Sequence, residues 1–219
     1  MDKQKVRDRI MEIGIVPVVR ASSPGEARIA ATAVCQGGIP IVEITMTVPG
    51  ALEVISHLVK NLPHVVVGAG TVLDLETARL CVDAGVAFLT SPGLDLEIVE
   101  FAKQRNLTMI AGALTPTEIV TAWKAGSDFI KVFPCAQVGG DSYSRALKGP
   151  FPRIPLIAAG GVNQQTAVSF ILAGAAALGI GRELIPSEAV QKRQEGRIRE
   201  LAHRFLNFVR TARSRSAAV

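Results

Sequence analysis

One lysine lies inside a segment that otherwise predicts a buried β-strand. The segment runs from Asp128 to Pro134 and places aromatic and β-branched residues around Lys131. An ammonium group buried without a partner is costly. Such a lysine is therefore either a structural residue that reaches water or pairs with a carboxylate, or a desolvated amine that attacks a carbonyl and forms a Schiff base.

Two further charges fall within or at the end of predicted strands. Glu43 lies inside Ile41–Thr45, and Arg20 ends the strand that begins at Ile15. If the strand ends meet, Lys131 can condense with a keto group and make a neighbouring C–C bond cleavable, while Glu43 moves the protons. The Arg20 guanidinium suits a carboxylate, which it can bind through two parallel hydrogen bonds. Three charges converging on one end of a fold favour a catalytic interpretation.

Glycine loops follow the last two predicted strands. Gly160-Gly161 follows one strand, and Gly181-Arg182 follows the other. Glycines let backbone N–H groups approach an anion at a helix N-terminus, so these loops predict a phosphate site. The alternative is that they form tight turns only.

The elements that must position these residues alternate between strand and helix along the chain. The predicted strands are Ile15–Arg20, Pro40–Thr45, Val65–Ala69, Phe88–Ser91, Thr108–Ala111, Phe129–Phe133, Leu156–Ala159 and Ala176–Gly179. The amphipathic segments between them are Pro24–Gln36, Pro49–Asn61, Leu75–Ala84, Leu96–Arg105, Pro116–Ala125 and Gln164–Ala173. Several of these helices are predicted to end at a glycine just before the next strand.

This alternation predicts the α/β class and a single (β/α)8 TIM barrel over residues 1–219. Residues 1–13 predict an extra N-terminal helix that could close the bottom of the barrel, and residues 214–219 a flexible tail. The second choice is an open doubly wound sheet. We disfavour it because no strand–GxGxxG–helix unit opens the chain.

Composition and charge argue against several other classes. Much of the positive excess behind the net charge of +5 lies after residue 190, but no aromatic residues interleave with it, so we expect a solvated helix face and no nucleic-acid partner. The apolar runs are too short to cross a bilayer, and the charged N-terminus lacks a signal-peptide core, so we expect no membrane association. Three dispersed cysteines predict reduced thiols and a cytoplasmic location. Three dispersed histidines predict no metal site, and we expect no cofactor.

A set of motifs resembles one family over nearly the whole chain. In order these are Val42–Thr45, Val67–Val72, Ser91–Gly93, Gly112–Glu118, Phe129–Pro134 and Gly160–Val162. They resemble the 2-keto-3-deoxy-6-phosphogluconate (KDPG) aldolase and 4-hydroxy-2-oxoglutarate (KHG) aldolase family. The resemblance implies a metal-independent class I aldolase on a (β/α)8 barrel, an aldehyde-lyase that releases pyruvate and forms a homotrimer.

The resemblance also implies roles for individual residues. It implies Lys131 as the Schiff-base lysine and Glu43 as the general acid and base. It implies Thr71 and Pro92 at the pyruvate end, with Phe133 packed beside the lysine. Arg20 matches an arginine that some members carry at the end of the first strand.

Three positions depart from the family pattern. Many members have arginine where this chain has Thr47, threonine where it has Ala159, and serine where it has Arg182. These departures affect the carboxylate and phosphate ends but spare the lysine and the acid. We hypothesise that Arg20 takes over carboxylate binding and that Arg182 strengthens the anion site.

The predicted reaction is the cleavage of KDPG to pyruvate and glyceraldehyde 3-phosphate, in carbohydrate metabolism of the Entner–Doudoroff type. The first alternative keeps this chemistry but changes the 2-keto acid to KHG, the galactonate epimer or an unphosphorylated sugar acid. A distant alternative is a non-catalytic barrel that binds nucleic acid through its basic C-terminal helix.

Overall fold

The computed structural model describes residues 2–216, which form a closed barrel of eight parallel strands paired in chain order. The strands are β1 Ile15–Val19, β2 Ile41–Thr45, β3 Val66–Gly70, β4 Phe88–Thr90, β5 Thr108–Ala113, β6 Phe129–Val132, β7 Leu156–Ala159 and β8 Ala177–Ile180. All eight predicted strands are present, with bounds within two residues of the prediction. The (β/α)8 barrel is thereby confirmed and the open sheet is wrong.

Ten helices surround the barrel within this part of the chain. They are α1 Lys3–Ile13, α2 Pro24–Gln36, α3 Ala51–Asn61, α4 Leu75–Asp83, α5 Leu96–Gln104, α6 Pro116–Ala125, α7 Gly140–Lys148, α8 Ala167–Leu172, α9 Ser187–Gln191 and α10 Glu195–Ser216. Helix α8 begins three residues later than predicted. The side chain of Asn163 accepts the N–H groups of Gln165 and Thr166 at 2.9 and 3.0 Å, and so holds a turn before the helix. None of these helices is long and apolar enough to cross a membrane.

Local sequence signals set where the helices begin and end. The Ser23 hydroxyl accepts the N–H of Glu26, and Thr115 forms a reciprocal capping box with Glu118. Four of the glycines that precede strands have φ angles between +94° and +106°, a region that other residues adopt only with strain. They are Gly38, Gly85, Gly126 and Gly174.

Helix α1 closes the N-terminal end of the barrel, as the sequence predicts. Its Val6 and Ile10 side chains are fully buried. Its Lys3 ammonium lies 2.9 Å from the carboxylate of Asp128, which precedes β6 and also accepts the N–H of Met109. The bottom of the barrel is thus fixed by charge and packing together, which leaves only the opposite end open for a site.

The basic C-terminal region is largely occupied by contacts within the chain. The Arg213 guanidinium donates to the carbonyl oxygens of Met11, Glu12 and Ala176, and so ties α10 to the end of α1 and the start of β8. Burial lowers the pKa of Arg213. Residues 214–216 form the last turn of α10 and differ from the expected flexible tail, whose remaining residues 217–219 lie outside the described part.

Candidate active site

A buried ion pair joins two opposite sides of the barrel. The Lys131 Nζ lies 3.7 Å from the Glu43 Oε1, and the two residues are only 6% and 1% exposed. Their strands, β6 and β2, are four strands apart in the ring of eight, so the side chains can meet only through the interior. The pair alone would fit a structural role. The cleft that the pair faces decides between a structural and a catalytic role.

The glycines of β3 make room for the acid. A Cβ added at Gly70 would lie 2.1 Å from the Glu43 Oε1, and one added at Gly68 would lie 2.3 Å from the Phe88 ring. Both contacts are far below the closest distance that real Cβ atoms accept. The Val-Gly-Ala-Gly sequence of β3 is therefore what allows a carboxylate to lie inside the barrel.

The lysine opens onto a cleft of about 330 Å³ at the C-terminal ends of the strands. Its lining residues are Val18, Arg20, Lys131, Phe133, Ala159, Gly160, Gly161, Val162, Gly179, Gly181, Arg182 and Glu183. The structure thus brings together seven of the ten predicted site residues in one cleft. The Lys131 Nζ lies 5.6 Å from the centre of the Phe133 ring, within cation–π range.

The two residues expected at the pyruvate end lie beside this cleft and do not line it. Thr71 follows Gly70, whose Cα lies against the Glu43 carboxylate, and has φ +58°. This is a strained conformation for a β-branched residue, and such strain is concentrated at functional sites. The Pro92 backbone packs against Gly112, which is the strand partner of Lys131.

Two arginines, Arg20 and Arg182, line the other end of the cleft. A Cβ added at Gly181 would lie 3.0 Å from the Arg20 Nη1, so the Arg20 guanidinium lies across the end of β8 next to Arg182. Neither arginine forms an ion pair within residues 2–216. Two arginines without an ion pair favour an anionic ligand at this wall, which they share with the carboxylate of Glu183.

A smaller outer cleft of about 230 Å³ shares Arg20 and Arg182 with the first. Its remaining walls include Ser22 and Glu26. The Ser22 hydroxyl and N–H donate to the Glu26 carboxylate at 2.6 and 3.0 Å, and these hydrogen bonds lower the pKa of Glu26. Glu26 therefore adds a negative charge to the wall of this cleft, but it forms no ion pair with Arg20 or Arg182.

The motif order and this geometry agree with comparisons to known proteins. A family model described as KDPG and KHG aldolase matches residues 6–201. The chain belongs to the KDPG and KHG aldolase family. It is similar to the 2-dehydro-3-deoxy-phosphogluconate aldolase of Pseudomonas aeruginosa, with 29% identity over 89% of both chains. It is also similar to the KHG/KDPG aldolase of Escherichia coli K12, with 28% identity over 86% of this chain and 88% of that one.

Solved aldolase structures share the fold at similar identity. A KDPG aldolase from Legionella pneumophila, with pyruvate captured as a covalent carbinolamine intermediate, has a TM-score of 0.84 and 27% identity, covering 90% of this chain and 96% of that one. A chain of a protein cage designed by fusing symmetric oligomeric domains has a TM-score of 0.86 and 28% identity, covering 94% of this chain and 76% of that one.

Several hydroxyl groups near the ends of the strands of this aldolase form hydrogen bonds within the fold. The Thr45 hydroxyl donates to the Val19 carbonyl at 3.1 Å and lies 2.7 Å from the Thr47 hydroxyl. The Thr115 side chain caps α6, and the Ser91 hydroxyl accepts the N–H of Gly112. Conversely, Glu183 lines the cleft and was missed, because its charge lies in a loop that is marked only by the preceding glycines.

The cysteines of this aldolase are not suited to nucleophilic chemistry. Burial raises the pKa of Cys35 to about 12. Burial, and to a lesser extent the negative charge of Asp74, raises the pKa of Cys81 to about 11. Thiols in this range stay protonated at neutral pH, whereas the thiolate is the nucleophile. No group of three or more side chains suited to hold a metal ion occurs within residues 2–216.

The room that β3 leaves for the acid gives a first prediction. We expect Gly70→Ala to lower kcat for aldol cleavage by about 100-fold, because the new methyl group must displace the Glu43 carboxylate by roughly 1 Å. Gly196→Ala is the matched control, because a Cβ there meets only the far end of Arg199 at 3.9 Å. Steady-state kinetics and circular dichroism on both variants make the measurement. A Gly70→Ala enzyme with unchanged kcat would show that the carboxylate position is unimportant.

Proposed function

We propose that this family member is a Schiff-base aldolase that cleaves KDPG to pyruvate and glyceraldehyde 3-phosphate. The observation that carries the proposal is the Lys131–Glu43 pair, which is nearly excluded from water and faces an open cleft. The pair allows a proton to pass from the ammonium to the carboxylate. This leaves a neutral amine as nucleophile beside an acid.

The reaction then follows from these two groups. The Lys131 amine attacks the C2 keto carbon. The resulting carbinolamine takes the proton back from the Glu43 acid as its hydroxyl leaves as water, which gives an iminium ion and restores the Glu43 carboxylate. The C3–C4 bond breaks, its electron pair moves into the iminium to form an enamine, and the C4 hydroxyl passes its proton to the Glu43 carboxylate as the aldehyde forms. Glu43 returns a proton to C3 of the enamine, and hydrolysis of the new iminium releases pyruvate and frees the amine.

Metal independence follows from the same chemistry. A protonated imine withdraws electrons from the breaking bond, so this mechanism supplies its own electron sink. The carbinolamine named for the Legionella pneumophila relative supports a covalent class I route in this chain. We accordingly propose that no metal or cofactor takes part.

The positions of the remaining residues support a substrate with its phosphate toward the arginines. Thr71 and Pro92 lie beside the acid and the lysine strand, which supports their role around the pyruvate unit. Phe133 packs by the amine. Arg20 lies against Gly181, which supports phosphate binding there more than the carboxylate role that we first hypothesised.

The phosphate end of the cleft combines two kinds of donor, backbone N–H groups of glycine loops and arginine side chains. Gly160 and Gly161 have φ angles of +82° and +90°, and a Cβ at Gly161 would lie 2.2 Å from the Cβ of Ala136, so only glycine fits. Arg20, Gly181 and Arg182 form the facing wall. Two guanidinium groups suit the doubly charged phosphate of KDPG better than the single distal carboxylate of KHG, which favours KDPG, although the name of the Escherichia coli relative keeps both substrates open.

The Schiff base itself can be tested by trapping. Incubation with pyruvate and borohydride should leave a carboxyethyl group on Lys131, and Lys131→Met should remove both the adduct and the cleavage activity. Peptide mapping must separate Lys131 from Lys148, because burial lowers the pKa of Lys148, whose amine donates to the Pro152 and Ile154 carbonyls. Label on Lys148, with Lys131 unmodified, would reject the mechanism.

The arginine pair makes substrate preference measurable. We expect Arg182→Ser to lower kcat/KM for KDPG about tenfold, through the loss of one charged hydrogen-bond donor, while kcat/KM for KHG stays the same. Arg153→Ser, an exposed arginine outside both clefts, is the matched control. An equal loss on both substrates would argue against a phosphate role.

A homotrimer is the proposed assembly. The likeness to a cage component built from symmetric oligomeric domains supports an oligomer. Leu73, Leu80 and Leu96, on and beside α4 and α5, are 62%, 47% and 49% exposed, and such a patch is typical of an interface. Light scattering should give three times 23.1 kDa. A monomer at micromolar concentration would contradict this.

Because Arg199, Arg204 and Arg213 already contact groups of this chain, we expect no nucleic-acid partner.

A further inference from the structure

The barrel interior contains one buried hydroxyl without a partner. Thr90, the last residue of β4, is fully buried, and its Oγ1 has no hydrogen-bond partner among residues 2–216. A buried hydroxyl without a partner costs free energy, so it normally has a compensating use. The Glu43 Oε1 is likewise buried and without a hydrogen bond, apart from the ion pair at 3.7 Å.

The Thr90 side chain points into the barrel. Phe88 lies two residues earlier on the same strand, and side chains alternate along a strand, so both face the same side. The Phe88 ring occupies the space above Gly68, the strand partner of Glu43. Because Glu43 reaches Lys131 across the interior, this side is the inside.

The strand register places Thr90 level with the ion pair. Pairing leads from Glu43 through Gly68 to Phe88, and from Thr90 through Ile110 to Phe129. In a barrel of eight tilted strands a horizontal layer rises by about one residue per strand, hence by about two residues from one even strand to the next. Two positions beyond Phe88 is Thr90, and two beyond Phe129 is Lys131.

The same count completes the layer. Strand pairing leads from Lys131 through Ile157 to Ala177. The rise of two residues then gives Gly179, which lines the catalytic cleft. The four inward positions of this layer are therefore Glu43, Thr90, Lys131 and Gly179. The strand of Thr90 lies midway between those of the acid and the amine, and Gly179 faces it with no side chain.

We propose that Thr90 is a positioning residue for the acid, and that its hydroxyl donates through one bridging water to the Glu43 Oε1. A hydroxyl donor and a carboxylate oxygen are complementary, and a distance beyond direct hydrogen bonding is the range that one water spans. The Lys131 ammonium supplies a further polar group for such a water. None of the residues that line the cleft carries a hydroxyl, so no lining side chain offers the acid a second hydroxyl donor.

The proposal rests on the Schiff-base function and predicts an effect on proton transfer. Glu43 removes a methyl proton from the pyruvate iminium and returns a solvent-derived one, so hydrogen–deuterium exchange of pyruvate in D₂O, followed by NMR, isolates this step. We expect Thr90→Val, which has nearly the same shape, to slow exchange at saturating pyruvate about tenfold with KM unchanged, as for one lost hydrogen bond to a charged group. The midpoint of the acidic limb of its pH–rate profile should move to higher pH, because a donor that stabilises the carboxylate is gone.

Two comparisons separate this role from a structural one. Thr90→Ser keeps the hydroxyl and should restore the rate and the pH midpoint. Thr108→Val removes another buried threonine hydroxyl, at the bottom of the barrel next to Lys3, and should leave exchange unchanged. Thermal unfolding of all three variants confirms that each is folded.

The alternative outcomes overturn the proposal. If folded Thr90→Val exchanges pyruvate at the wild-type rate and midpoint, or if Thr90→Ser fails to restore them, Thr90 does not position the acid. If Thr90→Val raises only KM, the hydroxyl contacts substrate instead. If the wild-type enzyme neither exchanges pyruvate nor gives the borohydride adduct, the Schiff-base function itself fails.

Discussion

The architecture of this aldolase depends on the cost of keeping an amine and a carboxylate away from water. Each charge would be unfavourable alone in the barrel, and together at 3.7 Å they stabilise one another only partly. This requirement explains features that lie far apart in the sequence. Gly68 and Gly70 of β3 leave the space, β2 and β6 approach it from opposite sides, and Phe88 and Phe129 fill the barrel beneath.

The rest of the barrel can be understood as support for that pair. The N-terminal end is closed by α1, which is fixed through Lys3 and Asp128, so solvent and substrate reach the charges from one side only. At the open end the cleft carries an unpaired positive charge at one wall and the amine at its base. This charge distribution favours an anionic ligand at the open end, and it is the basis of the orientation proposed above, with the phosphate outward and the carbonyl carbon toward Lys131.

The sequence predicts much of the fold because its signals are local. Strand periodicity, N-caps such as Ser23 and Thr115, and the glycines before each strand act over a few residues, and the structure follows them closely. The proximity of Lys131 and Glu43 could be expected only by assuming a barrel, because 88 positions separate them. Thr90 could not be found, since a threonine at the end of a strand is ordinary until the register places it level with the acid.

The contact of Arg213 with the carbonyls of Met11 and Glu12 bears on how the molecule is made. Helix α1 is synthesised long before α10, so it lacks this clamp until α10 has been made, and β1 must also wait for β8 before the ring can close. The early part of the nascent chain thus exposes apolar strand surface, and its Glu43 carboxylate lacks Lys131 until β6 has been made. The barrel therefore closes only late in the synthesis of each molecule.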